Sequence, residues 1–210
     1  MEGGSYLVWY KNEYFIRRLH SLSGIFPLGI FLIEHTFVNS TARYGSEAYN
    51  LTVSLLQSLP LLLFLEMALI VIPLLFHALF GIYIVYLAKN NTLQYTYYRN
   101  WAFYLQRITA IITFIFVLYH VWALRIGHAI YGFEINFQSV GNHFANPTIF
   151  WFYVVGVIAS MYHFGNGLTT FLISWGVTTG PHSQRYAAWL GNIVFLGLTL
   201  VGLGSLLAFI

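Results

Sequence analysis

The chain has 210 residues, of which 59% are hydrophobic, 20% aromatic and 7% charged, with a formal net charge of +3 and no cysteine. So apolar a composition belongs to an integral membrane protein, and nothing in it points to a nucleic-acid partner. The lack of Cys excludes disulfides, thiolate-held iron–sulfur clusters and a Cys nucleophile within the chain, leaves the redox compartment open, and assigns any iron–sulfur centre to a partner.

Five apolar runs, near 19–38, 59–88, 101–126, 147–175 and 188–210, are long enough to cross a bilayer, which takes roughly 20 helical residues for about 30 Å of hydrocarbon. The predicted fold is therefore all-α, a single membrane-anchor domain over 1–210 built from five transmembrane helices. The first run follows Arg17-Arg18 as a signal peptide would, yet it lacks an Ala-x-Ala site and carries Glu34-His35 near its end, so it reads as a retained helix. Next, Ala48, Leu51, Leu55 and Leu56 are spaced for one helical face, which predicts a short helix on the membrane surface. In the second run Pro73 stands four residues before His77 and is expected to kink the helix and aim the imidazole. The longest loops, near 39–58 and 127–146, leave no room for a soluble catalytic domain.

Orientation follows from the flanking cations. Lys11, Arg17, Arg18, Lys89, Arg99, Arg107 and Arg185 fall on one side and Arg43 and Arg125 on the other, which places the N-terminus in the cytoplasm of a multi-pass protein of the cell membrane.

His35, His77, His120 and His163 each lie inside a different one of the first four runs, and an imidazole at membrane depth is costly unless something binds it. His35 is 17 residues past Arg18, roughly 25 Å up from the inner face, and His120 is five residues before Arg125, so both lie near the outer face. His77 and His163 lie at or just inside the midplane, the former 12 residues before Lys89 and the latter 13 before Gly176. Two stacked pairs result, each from two parallel helices, which is how a helix bundle holds a haem. Two imidazoles fill both axial positions of the iron and leave an electron carrier with no open site for oxygen. Gly24, Gly29, Gly81, Gly156, Gly165 and Gly167 are expected to make room for the macrocycles.

The plainer reading of a single membrane histidine is an interhelical hydrogen bond, and glycines are common in membrane helices regardless. Zinc would need several ligands at one point, which two separated pairs do not supply. His20, three residues after Arg17, is either a haem-propionate partner or a solvated interfacial residue, and the loop residues His128, His143 and His182 read as surface.

Two local patterns add to the topology: Arg17-Arg18-Leu19-His20-Ser21-Leu22-Ser23-Gly24, similar to a His-x-x-Ser-Gly start of the first helix, and His77-Ala78-Leu79-Phe80-Gly81-Ile82, similar to a His-x-x-x-Gly haem-ligand motif. With them the chain resembles the membrane-anchor cytochrome b subunit of succinate dehydrogenases and fumarate reductases, in the five-helix, dihaem, single-subunit form of Gram-positive bacteria. The resemblance implies two haem b groups, the inner on His77 and His163 and the outer on His35 and His120. It also implies a flavoprotein and an iron–sulfur subunit on the cytoplasmic face, with menaquinone reduced near the outer half of the membrane by electrons from succinate. Many relatives carry Arg where this chain has Ser21, and Arg-His where it has Tyr83-Ile84, so contacts near the inner face do not transfer.

The docking surface is expected at residues 1–18, at Tyr95, Tyr97, Tyr98 and Trp101, and around 176–187, although interfacial aromatics also form an ordinary belt. Quinone reduction consumes protons. Glu34, beside His35, and Glu66, 11 residues before His77, are candidates for their path, because burial favours a neutral acid that can donate. The alternatives are a protonated Glu bonded to a neighbouring helix and, for Glu34, a carboxylate exposed at the outer interface. Other classes stay open: the cytochrome b anchor of a hydrogenase or formate dehydrogenase, a fumarate reductase working in the reverse direction, and a non-redox transporter or assembly scaffold.

Overall fold

The computed structural model describes residues 3–210, and their side chains from Asn12 onward. Five helical stretches are long and apolar enough to cross a membrane: Asn12–Tyr44, Leu62–Leu87, Tyr98–Tyr131, Pro147–Ser174 and Pro181–Leu207. No strand occurs among the described residues.

The first span consists of α1 (Gly3–Ile25) and α2 (Pro27–Ser40), interrupted at Phe26 because Pro27 has no N–H to continue the backbone ladder. A 3₁₀ turn (Thr41–Tyr44) leads to α3 (Ser46–Gln57), the expected surface helix. Its Tyr49 and Val53 face the bundle, while Leu51 and Leu55 are exposed. The second span joins α4 (Leu62–Glu66) to α5 (Ile72–Leu87) through a π turn, Met67–Val71. The irregularity expected at Pro73 takes this form, with the proline seated in the first turn of α5.

The third span is α6 (Tyr98–His120), a π turn (Val121–Ile126) and α7 (Gly127–Tyr131), which stops at Gly132 with a φ of 69°. In the outer loop α8 (Phe137–Phe144) is capped by Asn136, whose side chain accepts from Ser139 N at 2.9 Å. The fourth and fifth spans are α9 (Pro147–Ser174) and α10 (Pro181–Leu207). Helix α10 starts seven residues earlier than the apolar run at 188 predicts. Pro181 presets its first turn, and Ser183 Oγ accepts from Gly180 N at 3.1 Å, so polar residues that hydropathy reads as loop are helical.

Packing is concentrated at the outer end and along α9. Ala42, Tyr49, Phe116, Val140, Phe144, Tyr153, Leu206 and Phe209 form one buried cluster that ties α3, α8 and the C-terminus across the top of the bundle. Helices α9 and α10 touch backbone to backbone: a Cβ built on Gly191 would lie 2.4 Å from Gly165 O. Small residues permit such close approach in lipid, where apolar surface alone gives helices little reason to associate. The second span, by contrast, buries none of its residues. Its outward Leu63, Phe64, Leu75 and Leu79 are exposed, as suits contact with hydrocarbon.

Candidate functional site

The four membrane histidines meet as two pairs. His77 on α5 and His163 on α9 have ring centroids 6.2 Å apart at an interplanar angle of 86°, and His35 on α2 and His120 on α6 are 5.7 Å apart at 82°. Two metal–imidazole bonds of about 2 Å each, with the ring radii added, put the centroids of two axial imidazoles roughly 6 Å apart. The pairs therefore have the spacing of axial ligands. Among the described residues no three His, Cys, Asp or Glu side chains converge on one point.

Each ring is held by further polar groups. His77 Nδ1 donates to the His20 carbonyl at 3.1 Å, and Ser23 Oγ, itself donating to the same carbonyl at 2.9 Å, lies 3.3 Å from that nitrogen. His163 Nδ1 lies 3.2 Å from both the carbonyl and Nε2 of Gln106. Gln106 Nε2 returns a bond to the His163 carbonyl at 2.9 Å, and Asn166 Nδ2 donates to Gln106 Oε1 at 2.7 Å. His120 Nδ1 pairs with Tyr153 Oη at 3.3 Å. A carbonyl only accepts, so at His77 Nδ1 carries the proton and Nε2 keeps its lone pair, the tautomer a ligand to iron needs. His35 differs, because its Nε2 lies 3.4 Å from Asn39 Nδ2, which donates to the His35 carbonyl at 2.8 Å. Asn39 and Asn166, four and three residues after their histidines, were visible as polar residues on the same helical faces.

His20 is not a solvated interfacial residue. Its ring stacks on His77 with centroids 4.1 Å apart and planes 8° from parallel, and its buried Nε2 has no partner. The glycines divide by role. A Cβ on Gly24 would meet the His77 ring at 2.5 Å, and one on Gly81 would come 3.3 Å from His20 Nε2, so these two border the inner pair. Gly167 faces Gln106 Nε2 at 3.4 Å. Gly29 and Gly156 are instead filled by the rings of Phe164 and Phe116, and Gly165 serves the α9–α10 contact, which corrects the expectation that all six clear space for macrocycles.

The outer end differs most from expectation. Glu66 does not stand alone, because Arg125 binds it from the third span through Nη2–Oε2 at 2.6 Å and Nε–Oε1 at 3.2 Å. Two π turns frame this ion pair, Met67–Val71 directly after Glu66 and Val121–Ile126, which follows His120 and contains Arg125. Such turns shift side chains off the regular helical register and are frequent at functional sites. Glu34 is exposed on α2.

His143 and His128 are not surface residues. His143 stacks against Tyr119 at 5.9 Å and meets Tyr153 edge-on at 5.6 Å, and burial pushes its imidazole below the ordinary range. His128 is half-buried and its Nδ1 donates to the Phe133 carbonyl, whereas His182 is exposed as expected, although in the first turn of α10 rather than in a loop. Nearby in α3, burial pushes the Tyr49 phenol up to about 12.

At the inner end Tyr95, Tyr97, Tyr98 and Trp101 are exposed, and Arg99 Nη1 ties their segment to Gln184 Oε1 at 2.7 Å. Residues 1–11 of the expected docking segment lie outside the described side chains.

Five membrane spans with histidines paired across four of them define a multi-pass membrane subunit of the cytochrome b kind. The chain belongs to the family described as succinate dehydrogenase/fumarate reductase transmembrane subunit, whose profile it matches over residues 88–200. It is also 48% identical over 200 residues to the succinate dehydrogenase cytochrome b558 subunit of Bacillus subtilis (strain 168), a match that covers 95% of this chain and 98% of that protein. Family membership makes it a membrane anchor of succinate dehydrogenase type and sets aside the hydrogenase and formate dehydrogenase alternatives.

Proposed function

We propose that the chain is the dihaem anchor of a succinate:menaquinone oxidoreductase, with His77 and His163 holding an inner haem b and His35 and His120 an outer one. The observation that carries this reading is the cross-helix pairing of the four histidines at 6.2 and 5.7 Å. Bound there, the haems supply reversible one-electron transfer between an iron–sulfur partner and quinone. The chain's own part is to orient the imidazoles: the His20 and Gln106 carbonyls and the Tyr153 hydroxyl fix three of the rings. His20, with its unpartnered Nε2 beside His77, is positioned to meet a propionate.

The flavoprotein and iron–sulfur subunits dock on the cytoplasmic face, where exposed Tyr95, Tyr97, Tyr98 and Trp101 supply aromatic surface. Menaquinone is reduced near the outer pair, and Glu66, held by Arg125, delivers protons there, while Glu34 offers an exposed second carboxylate on the same side. The visible spectrum and haem stoichiometry of the purified protein test the core of this reading. Two b-type haems per chain are expected, and a haem-free protein would reject it. For the proton path, Glu66→Gln is expected to slow quinone reduction while leaving succinate oxidation by an artificial acceptor intact; unchanged quinone turnover would remove Glu66 from the mechanism.

A further inference from the structure

Arg107, which the orientation argument counted only as a flanking cation, is buried within the third span at 8% exposure. Its Nη2 donates to Asn90 Oδ1, and its guanidinium carbon stands 4.4 Å from the centroid of the Phe103 ring. Neither partner is an anion. Its Nη1 is buried with no hydrogen-bond partner at all. The chain has no aspartate, and the two ion pairs among the described residues, Arg17–Glu13 and Arg125–Glu66, use other cations. Among the described residues the guanidinium has no counter-charge, and burying one in that state is strongly unfavourable, so the position calls for an anion.

Placement identifies it. Arg107 follows Gln106, whose carbonyl lies 3.2 Å from His163 Nδ1, so it belongs to the turn of α6 that supports the inner pair. On the other side of that pair His20 Nε2, stacked against His77, is likewise buried and unpartnered. A haem b carries two propionate carboxylates, and among the described residues His20 Nε2 and Arg107 Nη1 are buried nitrogens without a partner. A lipid phosphate is a poorer fit, because the guanidinium is covered by the chain itself, at 8% exposure.

We propose that Arg107 binds a propionate carboxylate of the inner haem, with Asn90 and Phe103 holding the guanidinium in place. The assignment rests on the dihaem reading above and adds a charged anchor to it. Asn90 belongs to the short connector between the second and third spans, so the same bond links that connector to cofactor retention.

The test uses the assembled complex in membranes, with Arg107→Gln and Arg107→Lys variants and spectroelectrochemical titration of both haems. Wild-type complex without two titrating components would reject the dihaem reading itself, before any variant is compared. With two components present, Arg107→Gln is expected to lower the midpoint potential of the inner haem, because a lost positive charge disfavours the added electron, or to release that haem alone; the outer component stays in place. Infrared redox-difference spectra of complex carrying haem ¹³C-labelled at the propionate carboxylates are expected to show the labelled band shift in both variants, since Lys keeps the charge but loses the fork of donors. An unmoved inner potential together with an unmoved labelled band overturns the proposal. So does loss of the co-purifying subunits with both haem signatures unchanged, which would assign the anion to a partner carboxylate. Should Arg107→Gln fail to accumulate, Arg107→Lys decides by the same band.

Discussion

At the scale of single residues, the second partner of each imidazole matters as much as the imidazole. Tyr153 donates no bulk that phenylalanine would not, so Tyr153→Phe isolates the hydroxyl 3.3 Å from His120 Nδ1. Loss of such a supporting contact typically weakens cofactor binding by about 10- to 100-fold; haem titration of the variant should show that loss at the outer site and none at the inner. His143 makes a pH prediction. Burial holds its imidazole below the ordinary value of 6.5, so the unfolded segment takes up a proton before the folded one does. The stability contributed by its packing is complete above pH 6.5 and falls as the pH drops below it, and amide exchange across Phe137–Phe144, corrected for intrinsic rates, should rise under acid conditions. The histidines themselves were legible in the sequence because polar side chains are rare in apolar runs. Their supports were not, since Ser23, Gln106 and Tyr153 act across helices whose rotation about their axes hydropathy does not specify.

At the scale of elements, hydropathy located five helices but mistook their ends. Apolar runs mark what the hydrocarbon solvates, whereas helices continue wherever caps and prolines allow, as Pro181 and Ser183 do for α10. The π turn at Val121–Ile126 was illegible, with no proline to announce it, and the one at Met67–Val71 was announced only as an irregularity near Pro73; both stand beside the Glu66–Arg125 pair. The α9–α10 contact is the most tightly toleranced joint. A side chain at Gly191 would meet Thr169 Oγ1 at 2.1 Å and Gly165 O at 2.4 Å, the latter a backbone atom that cannot rotate away. Gly191→Leu should therefore lower the thermal midpoint of the detergent-solubilised protein, by a free energy of about 1–3 kcal/mol or more. Gly197→Leu, where a Cβ meets nothing within 4 Å, is the control and should leave the midpoint in place.

At the scale of the whole molecule, two histidine levels give the bundle a direction. If the outer pair is the downstream half of the electron path, His35→Ala or His120→Ala should leave the inner haem spectrum intact and abolish quinone reduction. Loss of both haem signals together would count against independent sites, and retained quinone reduction would show the outer haem to be dispensable. The second span has no buried residue, and that fixes how the bundle is assembled. Judged by its apolar surface, it is a helix the bilayer accepts in isolation, with lipid as good a neighbour as protein. What recruits it is polar, His77 toward the inner half and the Glu66–Arg125 pair toward the outer. The residues that give this helix its chemistry are thus also its address within the bundle.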